Sequence, residues 1–108
     1  MRYPIFLDVS FIDMILIMNT ADQKALKELQ VIPGVGPNVA KHLLDIGIRS
    51  VKDLKGNDPK RLYERSCGHE GVLIDRCLLY VYRCAVYYAS HAKPDPKLLQ
   101  WWLWKDKK

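Results

Sequence analysis

The sequence predicts an all-α domain, and three observations carry that prediction. Apolar residues after residue 20 recur at helical spacing, with no alternating run long enough for a strand. Capping residues and first-turn prolines recur at short intervals, as at Ser50, Asp58-Pro59 and Asp95-Pro96. The stretch from Val72 to Ser90 is apolar nearly all round, which predicts a long central helix under cover of the others.

In chain order, Thr20 with Gln23 has capping-box spacing and opens a helix through Ala25, Leu26 and Leu29, which Pro33 stops. Pro37, directly after Gly36, predicts the start of a second helix, because a first-turn proline is pre-set for helix and loses no hydrogen bond there. Its buried stripe is Val39, Ala40, Leu43 and Leu44, and Gly47 ends it. Ser50 with Asp53 opens a short helix over Val51 to Lys55, and Gly56-Asn57 is a turn. Asp58-Pro59 supplies the cap and first residue of a fourth helix, with Leu62 and Tyr63 inward. Residues 20–66 therefore read as two successive helical hairpins, the second degenerate, packed on the long helix of 72–90. On that helix Arg76, Tyr80, Arg83, Tyr87 and Ser90 form one stripe, expected to face water or receive a partner. A short C-terminal helix follows from Asp95-Pro96 into "WWLWKDKK".

With 108 residues, 49% of them hydrophobic and 27% charged, the chain suits one globular domain that needs no metal or disulfide. Three cysteines without a secretory signature predict reduced thiols in a cytoplasm. Residues 1–17 are apolar but interrupted by Asp8 and Asp13, which disfavours a signal peptide and a membrane helix. They read as an upstream extension or mis-called start, or as a short element docking locally. The domain itself is assigned to residues 18–108.

The formal charge is +5. Its excess lies in two places. In residues 37–66, Lys41, Arg49, Lys52, Lys55, Lys60, Arg61 and Arg65 outnumber Asp45, Asp53, Asp58 and Glu64; in residues 93–108, five lysines outnumber Asp95 and Asp106. A polyanion is thus an eligible partner.

The stretch "IPGVGPNVA" has the chemistry to meet one. Two glycines between helices leave backbone amides uncovered at a helix N-terminus, where the dipole favours an anion, while Val35 turns inward to pin the turn. The full pattern, Leu29-x-x-Ile32-Pro33-Gly34-Val35-Gly36-x-x-x-Ala40-x-x-Leu43, resembles the helix-hairpin-helix motif of DNA repair glycosylases, translesion polymerases, ligases and recombinases. "DIGIRSVKDL" is similar to the element that follows the motif in polymerases and recombinases. Across residues 18–108, with "DRCLLYVYRCAVYYAS" and "PDPKLLQWWLWKD", the chain resembles a family of small bacterial pathogenicity-locus proteins.

The resemblance implies binding of duplex or single-stranded DNA through its phosphates, without sequence preference. The amides of Gly34, Val35 and Gly36 would hold one phosphate, flanked by Asn38 and Lys41. Lys52, Lys55, Lys60 or Arg61 would reach a neighbouring phosphate. Asn38 stands where DNA-binding examples often carry Lys or Arg.

No catalysis is expected. No nucleophile–base pair, P-loop or nuclease-like carboxylate cluster stands out, and Asp53 is explained as a capping acid. No cofactor is expected either. Cys67, His69, Cys77 and Cys84 fit no standard zinc spacing, and small buried thiols explain them more simply. Trp101, Trp102 and Trp104 read as closing over the core. The rival to DNA binding is a protein–protein adaptor that keeps the hairpin as scaffold and uses the Tyr/Trp-rich C-terminal half as its interface. The discriminator is whether the Gly34–Gly36 amides are exposed with Lys41 and Lys52 on the same face, which favours DNA, or capped by another element of the chain, which favours the adaptor.

Overall fold

Five α-helices and two 3-10 turns account for the regular structure of residues 20–106, the part that the computed structural model describes. They are α1 (Thr20–Leu29), α2 (Pro37–Asp45), α3 (Val51–Leu54), α4 (Pro59–Glu70) and α5 (Cys77–Ser90), then turns at Pro96–Leu98 and Trp101–Trp104. There is no strand among the described residues. Residues 1–17, expected to be an extension or a locally docked element, lie outside them.

Most boundaries follow from local chemistry. α2 starts at Pro37 with Gly36 in extended backbone before it. Ser50 caps α3 by accepting from the Asp53 amide, and Asp58 caps α4 by accepting from the Lys60 amide, with Pro59 next. The long helix is shorter than the sequence predicts. Instead of starting at Val72, it starts at Cys77, because Gly71 ends α4 in left-handed backbone at φ +75° and Asp75 then caps the new start through Cys77's amide at 2.8 Å. α4 correspondingly runs on to Glu70 rather than stopping near residue 66. The expected C-terminal helix is two short 3-10 turns, the first capped by Asp95 on the Lys97 amide.

α5 is the central element. α4, α3 and the Trp101–Trp104 turn pack on it, while α2 bridges α1 and α4. Leu78, Leu79, Val81, Tyr82, Cys84, Ala85 and Val86 of α5 are all buried, as an apolar perimeter demands. Leu26, Leu29, Ile32, Val35, Ala40 and Leu43 extend this core beneath the first two helices. Truncating a fully buried residue such as Leu43 or Leu79 to alanine removes about 2–5 kcal/mol.

Among the described residues, the one buried polar side chain besides tyrosine is Ser66, whose hydroxyl shares a 2.7 Å hydrogen bond with Tyr82. Burial pushes the Tyr82 phenol well above its ordinary pKa. Losing the serine hydroxyl would strand that phenol, at about 1–3 kcal/mol.

Candidate nucleic-acid interface

The turn between α1 and α2 is built by Ile32 and Val35. Both are buried, and the Val35 amide donates to the Ile32 carbonyl at 3.0 Å, closing the turn. Gly34 makes that closure possible: its φ of +87° belongs to glycine. Val35 is therefore the predicted pin, but its amide is already committed. The uncommitted donors are a different set. Among the described residues, Gly34 and Gly36 donate no backbone hydrogen bond, and neither do Asn38 and Val39 in the first turn of α2. Pro37 has no N–H to offer. No side chain caps this start, and no acidic residue occupies its first turn.

The starts of α3, α4 and α5 are closed by acids or hydroxyls. α3 is sealed by Ser50, by Asp53 accepting from the Arg49 amide at 3.0 Å, and by Glu28 of α1 accepting from the Val51 amide at 3.3 Å. Asp58 seals α4, and Asp75 seals α5. An anion meets a carboxylate at those three starts and bare amides at α2.

The basic side chains divide. Lys52, Lys55, Lys60 and Arg61 are exposed and form no ion pair with a described residue. Lys41 does: its Nζ lies 2.7 Å from Asp45 Oδ1, one helical turn along α2. Its charge is thus partly neutralised in place. Asn38 is exposed beside the open amides. Arg49 is engaged with Asp22 of α1 at 2.6 Å, and Arg65 donates to the Ile46 carbonyl just beyond the end of α2.

A neighbour that sequence reasoning missed stands at the turn. A Cβ placed on Gly34 would come within 3.3 Å of Trp101 Cδ1, so the indole lies directly against the glycine. Gly34 nevertheless stays exposed. The contact covers one flank without satisfying the turn, because a tryptophan side chain donates a hydrogen bond and accepts none. A Gly-x-Gly turn and a tryptophan 67 positions away share no local pattern.

The Arg/Tyr stripe of α5 is occupied by the chain's own tail. Asp106 accepts from Arg76 Nε at 2.6 Å and Arg83 Nη2 at 2.8 Å, and Arg83 Nη1 donates to the Trp104 carbonyl at 2.7 Å. Tyr87 and Trp104 stack with centroids 5.4 Å apart. The two guanidinium groups hold the Asp106 carboxyl at a pKa of about 2. Trp101 packs against the core as expected, whereas Trp102 is 49% exposed.

The three thiols do not converge. Cys67 accepts from the Ile74 amide at 3.4 Å, Cys77 is exposed, and Cys84 is buried with its thiol directed at the Leu98 carbonyl. Burial pushes the Cys84 thiol up, and a hydrogen bond with Asp75 does the same to Cys77. No described helix is long and apolar enough to cross a membrane.

The class defined by this geometry is a small all-α domain in which the start of α2 carries no side-chain cap. Comparison with known proteins narrows it. The profile of the pathogenicity locus family, Cdd1, matches residues 22–108, and the chain belongs to that family. A mitomycin resistance protein, McrB, from Streptomyces lavendulae is 35% identical over 75 residues, which cover 69% of this chain and 68% of the relative. No solved structure matches.

Proposed function

We propose that this protein is a non-catalytic module that binds DNA backbone phosphates without sequence preference, using the Gly34–Val39 turn as a helix-hairpin-helix cradle. The observation that carries the reading is the bare α2 start: Gly34, Gly36, Asn38 and Val39 present unpaired amides where the starts of α3, α4 and α5 meet a capping side chain. Phosphate is the anion that such amides suit. Phosphate contacts position a protein and read no bases, so unrelated sequences should bind alike. Lys52, Lys55, Lys60 and Arg61 supply cations for neighbouring phosphates, and Lys41 contributes less because Asp45 holds it. We place the module in a cytoplasm, the compartment that three cysteines without a secretory signature suit.

The test is a salt titration on duplex, single-stranded and branched DNA. We expect Kd on the order of 10⁻⁴–10⁻⁶ M near physiological salt, weakening as salt rises and about equally for unrelated sequences. An affinity indifferent to salt, or no binding even at low salt, would exclude the phosphate cradle.

A second reading is a protein–protein adaptor. It is favoured by two adjacent tail residues, Trp102 and Leu103, about half exposed at 49% and 51%. Substituting both by serine should leave DNA binding unchanged under the first reading. Under the second, it should abolish capture of a protein partner while the turn variants do not.

A further inference from the structure

At the far end of α2 from its open amides, two helix ends meet. His42 and Asp45 lie one turn apart at the end of α2, and His69 and Glu70 close α4. The ligand atoms of His42, Asp45 and Glu70 all lie within 4.8 Å of one another. His42 Nδ1 is 3.9 Å from Glu70 Oε2, while His69 Nδ1 is 3.6 Å from that same oxygen and 3.8 Å from Asp45 Oδ2.

These spacings are too long for hydrogen bonds, which run at about 2.7–3.2 Å between nitrogen and oxygen. They are near the separation of neighbouring donors around a shared ion. With metal–ligand bonds of about 2.0–2.1 Å in a tetrahedron, donors sit roughly 3.3–3.4 Å apart. The pairs at 3.6–3.9 Å close with shifts of a few tenths of an ångström, while His69, which stands outside the 4.8 Å group, must turn toward His42 to complete the set.

We propose that His42, Asp45, His69 and Glu70 bind one divalent transition-metal ion of the zinc class, tying the C-terminal ends of α2 and α4 together. Two imidazoles with two carboxylates suit zinc and its neighbours, whereas calcium and magnesium prefer oxygen donors throughout. Both helices point their negative dipole ends at the position. Lys41 engages Asp45 Oδ1 and leaves Oδ2 turned toward His69. Asp45 is only 15% exposed while His69 is 50% exposed, so the ion has a protected side and an entry side. The inference is independent of the DNA reading, because the open amides lie at the opposite end of α2.

The experiment is titration of the full chain, kept reduced, with Zn²⁺ alone. Calorimetry and metal counting after dialysis measure the stoichiometry, and Co²⁺ substitution reports the ligand type. One equivalent should bind, and the cobalt spectrum should lack thiolate charge-transfer bands. Glu70→Gln and His42→Gln should each weaken binding at least about ten-fold, since even outer-shell partners of a metal ligand are worth that much. Their metal-free thermal unfolding should match the wild type, which separates lost ligands from lost fold. Cys67→Ser and Cys77→Ser should bind like the wild type. No saturable binding, full affinity in Glu70→Gln, or loss of binding in the cysteine variants would each overturn the site.

Discussion

The starts of α2 and α4 use the same device to opposite ends. Each opens with a proline in the first helical position, Pro37 in one and Pro59 in the other. Each is preceded by a residue in extended backbone. At α4 that residue is Asp58, whose carboxylate accepts the Lys60 amide at 3.0 Å and repels an anion. At α2 it is Gly36, which offers no side chain and leaves the first-turn amides bare. One residue type therefore separates a helix start that completes itself from one that is open to a ligand. Proline sets where a helix begins; the residue before it decides what the beginning can bind.

Four substitutions break or sharpen that contrast. The largest effect is expected from Gly34→Ala. Its φ of +87° is strained for any side chain, and its new methyl would press on Trp101 at 3.3 Å, so stability should fall by about 1–3 kcal/mol in denaturant unfolding. This makes Gly34 a probe of the fold rather than a clean probe of binding.

Gly36→Asp is the cleaner one, because the space around Gly36 is open within 4 Å and its φ of −92° suits aspartate. It converts the open start into a copy of the α4 start. DNA affinity should drop about ten-fold or more, a loss of about 1.4 kcal/mol, with stability unchanged or slightly raised. Unchanged affinity in a fluorescence anisotropy titration would remove the α2 amides from the interface.

The third test concerns the tail that brings Trp101 to the open start. Asp106 is held at a pKa of about 2 by Arg76 and Arg83, below the ordinary carboxylate value of about 3.9. A lowered folded-state pKa means that the contribution is complete above pH ~4 and is lost as pH falls toward 2. Tryptophan emission should report the tail loosening across that window. Asp106→Asn should lack this step and show the loosened signal already at neutral pH.

The smallest effect belongs to Asp58→Gly, which opens the α4 start. Replacing a cap by glycine costs only a few tenths of a kcal/mol. DNA affinity should stay level or rise slightly in the same anisotropy assay. A marked loss would place Asp58 in a role that capping does not explain.

Most of the helix boundaries were legible along the chain because capping is a short-range matter. Ser50, Asp58 and Asp95 each accept from an amide two or three residues on, and Pro37 needs no partner at all. The long helix starts five residues later than its apolar run predicts, and the reason is again short-range. Gly71 and Asp75 are stop and start signals, but the apolar run from Val72 masked them; Leu73 is in fact 85% exposed. The candidate metal position was half legible, since His42 and Asp45 have the spacing of one helical face, whereas nothing in the sequence pairs them with His69 and Glu70.

By itself, then, the sequence determined the all-α class, the Gly-Val-Gly turn with Val35 inward, and the uncapped start at Pro37. All of these depend on interactions spanning a few residues. Tertiary structure decided three other matters: Trp101 lies on Gly34, Asp106 claims Arg76 and Arg83, and the ends of α2 and α4 share a cluster of donors. Those contacts join residues 23 to 67 positions apart, and only packing of the helices around α5 sets which of them meet.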